Sequence, residues 1–134
     1  KIDCTWKEGM AFEADVSGFK LTIDADEAVG GQNLGPRPKP LTLVSLAGCT
    51  AMDVISILKK MRVEPDYFNV GVEGDMTEEH PKYYHKIHVK YILRGDNIPI
   101  DKVQKAVDLS QDRYCGVSKL LREGSEITSE IIIE

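Results

Sequence analysis

The feature that most constrains this chain is one long apolar stretch, Leu41 to Met61, broken by charge only at Asp53, Lys59 and Lys60. Pro40 stands in front of it, where a first helical turn tolerates the missing N–H. A helix from Leu41 to about Arg62 is therefore expected. Its apolar residues (Leu41, Val44, Leu46, Ala47, Met52, Val54, Ile55, Ile57, Leu58 and Met61) run nearly all the way round. That pattern predicts a helix buried on most sides, and the charges argue against a membrane span. One narrow stripe differs. Thr42, Ser45, Cys49, Asp53, Ser56 and Lys60 recur at spacings of three and four, so they share one face, with Cys49 in its middle.

Around this helix the chain alternates polar and apolar residues. Ile2, Cys4 and Trp6 can share a strand face, Met10 to Val16 reads as a second strand and Phe19 to Ile23 as a third, with Glu8-Gly9 and Ser17-Gly18 as turns. Residues 24–39 hold Gly30, Gly31, Gly35, Pro36 and Pro38, which excludes helix or central strand. After the long helix, Phe68 to Met76 and His85 to Leu93 form a hairpin turning at Glu78-Glu79-His80-Pro81. A second helix is expected with Asp101 as N-cap and Gln104 completing a capping box, and with Val103, Ala106, Val107 and Ser110 inward. A third, shorter helix starts near Cys115 and ends before Gly124, and a last strand covers Ile127 to Ile133. The order is that of an α+β protein with an antiparallel sheet. A length of 134 residues suits one domain, 1–134.

A net charge of −5 with no Lys/Arg stripe excludes nucleic acid as the expected partner. The first residues lack a secretory pattern, so a cytoplasmic location is expected, with no membrane partner. The cysteines, Cys4, Cys49 and Cys115, are odd in number and form no CxxC pair, which argues against a disulfide framework and against a structural zinc site. In a reducing compartment such residues are buried fillers or reactive thiols.

Cys49 reacts only as a thiolate. Mid-helix placement gives it no helix-terminus help, and Asp53 one turn away opposes ionisation, so a nearby cation is required. The competing reading is a small residue packed beside Ala47, Gly48 and Ala51. Cys115 follows Arg113-Tyr114 and precedes Gly116-Val117-Ser118; at a helix start, backbone N–H groups would point at its sulfur. Its competing reading is again a buried filler. If the two met, one could be oxidised to a sulfenic acid and the other could resolve it as a disulfide, given Cα atoms within about 7 Å. Cys4 reads as core or interface filler. His85 and His88 fall on opposite strand faces and read, with His80, as solvated or edge residues; Lys86, His88 and Lys90 read as a solvent face. Ser45 lacks a histidine partner and is a poor nucleophile. No metal ligand set is expected, and Gly30-Gly31 match no phosphate-binding loop.

The stretches Gly48-Cys49-Thr50-Ala51-Met52-Asp53-Val54 and Asp108-Leu109-Ser110-Gln111-Asp112-Arg113-Tyr114-Cys115-Gly116-Val117-Ser118 together resemble the OsmC/Ohr family, osmotically inducible protein C and organic hydroperoxide resistance protein. The likeness spans nearly the whole chain and is nearest to an OsmC-like branch with a Gly-Pro-Arg-Pro loop before the helix. It implies an intertwined homodimer, with antiparallel sheets wrapped around two long central helices and active sites at the subunit interface. It implies a thiol-dependent peroxidase for organic hydroperoxides, in which Cys49 attacks and Cys115 resolves. It implies no bound cofactor, only an external dithiol such as a lipoyl group as reductant. The family's activating acidic residue, about three turns before the first cysteine, is replaced by Lys39 within Pro38-Lys39-Pro40, and Gly116 stands where proline is usual. Arg37 or Lys39, from the same chain or the partner subunit, is the candidate cation for Cys49. The rival reading is a non-enzymatic redox-sensing or small-molecule-binding dimer on the same scaffold.

Overall fold

The computed structural model describes all 134 residues, which cluster into two units, Lys1–Thr42 and Leu43–Glu134. The first holds strands β1 (Asp3–Glu8), β2 (Ala11–Val16) and β3 (Phe19–Ile23), in the order β1-β2-β3, antiparallel throughout. Ser17 and Gly18 turn the chain with φ of 52° and 87°, the left-handed pair that matches the twist of a two-residue hairpin. Only Ala11 and Ala14 of this sheet are fully buried, and β1 is exposed along its length. Cys4, expected as core or interface filler, is exposed and lies in no core here.

Residues 24–39 form an ordered loop closed on Asp24. Its buried carboxylate accepts the N–H groups of Ala25 (2.7 Å), Gln32 (3.1 Å) and Leu34 (3.2 Å), and its own N–H donates to Pro36 O. Chain passes chain so closely that a Cβ on Gly31 would stand 2.0 Å from Ala25 O and one on Gly35 2.1 Å from Thr22 O. These two glycines are required by space.

The second unit carries nearly all of the long helix α1 (Pro40–Lys60), then β4 (Tyr67–Met76), β5 (Tyr84–Arg94), α2 (Ile100–Leu109), a π-helical turn Ser110–Tyr114, α3 (Gly116–Arg122) and β6 (Glu126–Ile133). β5 is central, and its alternate residues Ile87, Val89, Tyr91 and Leu93 are buried, as strand periodicity requires. Leu46, Val54 and Leu58 of α1 and Val103, Ala106 and Val107 of α2 belong to the same core. Ser110 is buried at the end of the inner face expected for α2.

Three expectations are corrected. The sheet is not wholly antiparallel: β4 and β5 are, but β6 joins β5 in parallel, Ile87 opposite Ile127 and Leu93 opposite Ile133. The α2–α3 crossover returns the chain to the same end of the sheet, which is what a parallel neighbour needs. Asp101 is not a cap. Pro99 occupies the N-cap position, with its carbonyl taking the N–H groups of Lys102 and Val103, and Gln104 instead donates to Asp108 at 2.9 Å. Proline's fixed φ starts the helix earlier than the side-chain pattern suggests. Finally, α1 buries one stripe (Leu46, Thr50, Val54, Leu58) and leaves Val44 and Met52 62% and 74% exposed. One chain offers this helix only one face to pack against. It is also the one helix that by length and composition could cross a membrane.

Candidate active site

Cys49 sits half-buried in the middle of α1, with Asp53 one turn further on. Cys115 comes from the segment that follows α2. The chain leaving α2 does not stop but widens into the π-helical turn Ser110–Tyr114, and the Cys115 N–H closes it on Ser110 O at 2.6 Å. Such wide turns are uncommon and tend to re-aim side chains at functional positions. Cys115 then adopts an extended conformation and caps α3, its sulfur accepting the Ser118 N–H at 3.3 Å. The N–H contact expected of a cysteine at a helix start is present. Gly116 follows, with nothing near its Cβ position, so its smallness is not imposed by packing within this chain.

The outcome is a convergence that spacing alone does not reveal. The sulfurs of Cys49 and Cys115 and a carboxylate oxygen of Asp53 all lie within 4.8 Å of one another. Both cysteines are free thiols, and Cys115 is buried while Cys49 is accessible. The Cys49 thiol is pushed up from its ordinary value. Burial is the main cause, the hydrogen bond with the Cys115 side chain adds to it, and the charge of Asp53 adds a little more; the Val117 N–H works in the opposite direction.

A chain of buried hydroxyls runs behind Asp53. Thr50 Oγ1 lies 2.7 Å from Tyr91 Oη and 2.8 Å from Ser110 Oγ, Ser110 Oγ donates to Asp53 Oδ2 at 3.0 Å, and Gln111 Nε2 donates to Tyr91 Oη at 2.9 Å. Each hydroxyl has one proton, so an ionised Asp53 orders the row: Gln111 donates to Tyr91, Tyr91 to Thr50, Thr50 to Ser110, and Ser110 to the carboxylate. Arg122 holds the far end by donating to Gln111 O at 2.7 Å. No buried side-chain polar atom lacks a partner.

Sequence reasoning found Cys49 and Cys115, and placed Asp53 on the same face as Cys49. It missed Thr50, Tyr91 and Gln111. The available signals were a threonine in the core stripe of α1 and a tyrosine in the buried alternation of β5, each of whose hydroxyls demands a partner. Arg37 belongs to the first unit, where its guanidinium donates to Gly35 O (2.8 Å) and Asn33 Oδ1 (2.7 Å) and pairs with Asp26 at 3.5 Å. His88 is less solvated than expected. Its ring lies against Thr128 Oγ1 at 2.7 Å and Glu130 Oε2 at 2.5 Å, on an otherwise polar sheet face.

Comparison with known proteins fits this geometry. The family model described as OsmC-like protein matches residues 30–130. Protein YhfA of Escherichia coli K12 is 32% identical over 124 residues, covering 92% of this chain and 90% of that protein. A crystal structure of a hypothetical protein from Aquifex aeolicus superposes with a TM-score of 0.84 at 29% identity, covering 100% of this chain and 96% of the other. The organic hydroperoxide resistance protein OhrB of Bacillus subtilis superposes with a TM-score of 0.65 at 18% identity, over 98% and 96% of the two chains, a likeness of fold.

Proposed function

Since the chain belongs to the OsmC-like family, we infer that it is a thiol-dependent peroxidase that reduces organic hydroperoxides through a Cys49–Cys115 cycle. The observation that carries this reading is the meeting of the two sulfurs within 4.8 Å from distant parts of the chain. Their unequal burial, Cys49 partly exposed and Cys115 buried, supports the division of roles. The accessible Cys49, as thiolate, attacks the terminal peroxide oxygen. The O–O bond breaks, the alkoxide leaves and takes a proton as alcohol, and Cys49 becomes a sulfenic acid. Cys115 then attacks that sulfur, hydroxide leaves as water, and the disulfide forms. An external dithiol, such as a lipoyl group, returns both thiols and takes up the oxidation. The cysteines are the catalytic residues, and no bound cofactor enters the cycle. A cytoplasmic setting suits such a reductant.

Thiolate formation at Cys49 is the difficult step, because burial and Asp53 both oppose it. A cation is needed beside that sulfur, and Arg37 or Lys39 of a second copy is the proposed source. The functional unit is a homodimer; support comes from the apolar face of α1 that one chain leaves open, Val44 and Met52 above all.

The test is catalytic. Reduced protein with excess dihydrolipoamide should consume cumene hydroperoxide, Cys49→Ser should abolish turnover, and Arg37→Ala should slow it at least about tenfold. If wild type consumes peroxide no faster than Cys49→Ser, the reading fails. The raised Cys49 thiol favours a second reading, a slow redox-sensing dimer. That reading predicts formation of the Cys49–Cys115 disulfide without sustained turnover.

A further inference from the structure

We propose that the reduced site is also a reversible binding site for a thiophilic divalent cation, of which zinc is the type, held by Cys49 Sγ, Cys115 Sγ and an Asp53 carboxylate oxygen. The three donor atoms already lie within 4.8 Å of one another. A tetrahedral zinc ion, with bonds of about 2.0–2.3 Å, holds its donors roughly 3.3–3.8 Å apart. The contraction required is within the reach of small side-chain rotations.

The surroundings match what such a ligand set requires. Asp53 is fixed by the Ser110 hydroxyl, itself the end of the row through Thr50, Tyr91 and Gln111. A ligating carboxylate held by a second hydrogen bond in this way is characteristic of metal centres. The Ser110 hydroxyl donates to Oδ2.

Three protein donors leave one tetrahedral position for water. The site is therefore open and exchangeable, unlike a four-ligand structural zinc. Binding displaces the two thiol protons, so affinity rises with pH. Metal and peroxide compete for the same sulfur electron pairs. Oxidation by a hydroperoxide, with two protons taken up, converts the two bound thiolates to a disulfide and yields alcohol, water and the freed ion. A bound cation would hold the thiols in reserve until oxidant expels it. None of this requires fast peroxide turnover.

The experiment uses the 134-residue chain carrying Cys4→Ser, reduced and stripped of metal. Zinc is titrated against a chromophoric chelator, and cobalt(II) is added separately as a spectroscopic probe. The expected result is one ion per chain, with thiolate-to-cobalt charge-transfer absorption and tetrahedral ligand-field bands. Asp53→Ala should weaken zinc about tenfold or more, and Cys49→Ser or Cys115→Ser about a hundredfold. The same folded protein with its thiols alkylated is the control that needs no further variant. Zinc bound no more tightly before alkylation than after, or equally tightly by Asp53→Ala, overturns the proposal. No peroxide is used, so loss of the peroxidase reading and loss of this one are separate results.

Discussion

At the scale of single residues, two carboxylates do opposite work. Asp24 is held below the ordinary carboxylate range, first by the Ala25 N–H and then by those of Leu34 and Gln32 and the charge of Arg37, against the cost of burial. A folded value below the unfolded one stabilises fully above the unfolded value of about 3.9, and that stability is lost as pH falls past it. Asp24→Asn should therefore flatten the acid limb of stability between about pH 5 and pH 2, read by urea unfolding across that range. An acid limb identical to wild type would refute the assignment. Asp53 instead raises Cys49, after burial and the Cys115 side chain. Asp53→Asn should shift the pH midpoint of Cys49 alkylation by iodoacetamide downward and speed labelling at neutral pH; an unmoved midpoint would contradict it. Cys49 and Cys115 were legible in the sequence because reactive residue types are few. Tyr91 was not, since its alternation with Val89 and Leu93 reads as core. The hydroxyl that makes it more than core finds its partner 41 residues away on α1, and no local pattern carries that distance.

At the scale of elements, the π-helical turn between α2 and α3 sets the geometry. It keeps Ser110 inward, under Thr50 and against Asp53, and brings Cys115 to cap α3. Ser110→Ala would leave the Thr50 hydroxyl without an acceptor and remove Asp53's donor. It should cost about 1–3 kcal/mol in chemical unfolding, with Cys115 alkylated faster in the folded protein. A cost near zero would mean the hydroxyl row carries no weight. Helices and strands were read from periodicity with bounds close to those observed, α1 above all. The parallel placement of β6 was not legible. An apolar run such as Ile131-Ile132-Ile133 suits a strand of either direction, and direction is set by the crossover that precedes it. The start of α2 was misplaced because a proline N-cap leaves no side-chain signature, whereas Asp101 and Gln104 imitate one.

At the scale of the whole molecule, the excess of apolar surface on α1 is the most consequential property. The sequence showed that this helix is apolar nearly all round, apart from the stripe through Cys49, and the single chain buries only one stripe of it. The proposed second copy would cover that excess. Sedimentation should give about twice the 14.9 kDa of one chain, and Met52→Glu, on the open face, should shift the protein toward monomer. A wild-type monomer at micromolar concentration would remove the dimer from the account. The central claim concerns chemistry, and it is tested most directly by mapping bonds. Reduced Cys4→Ser protein is mixed with one equivalent of cumene hydroperoxide, quenched with an alkylating agent, digested and analysed by mass spectrometry. Two thiols should disappear per chain, and Cys49 and Cys115 should be recovered in one disulfide-linked peptide pair. Recovery of both cysteines alkylated, or of an oxidised Cys49 beside a still-free Cys115, would contradict the account.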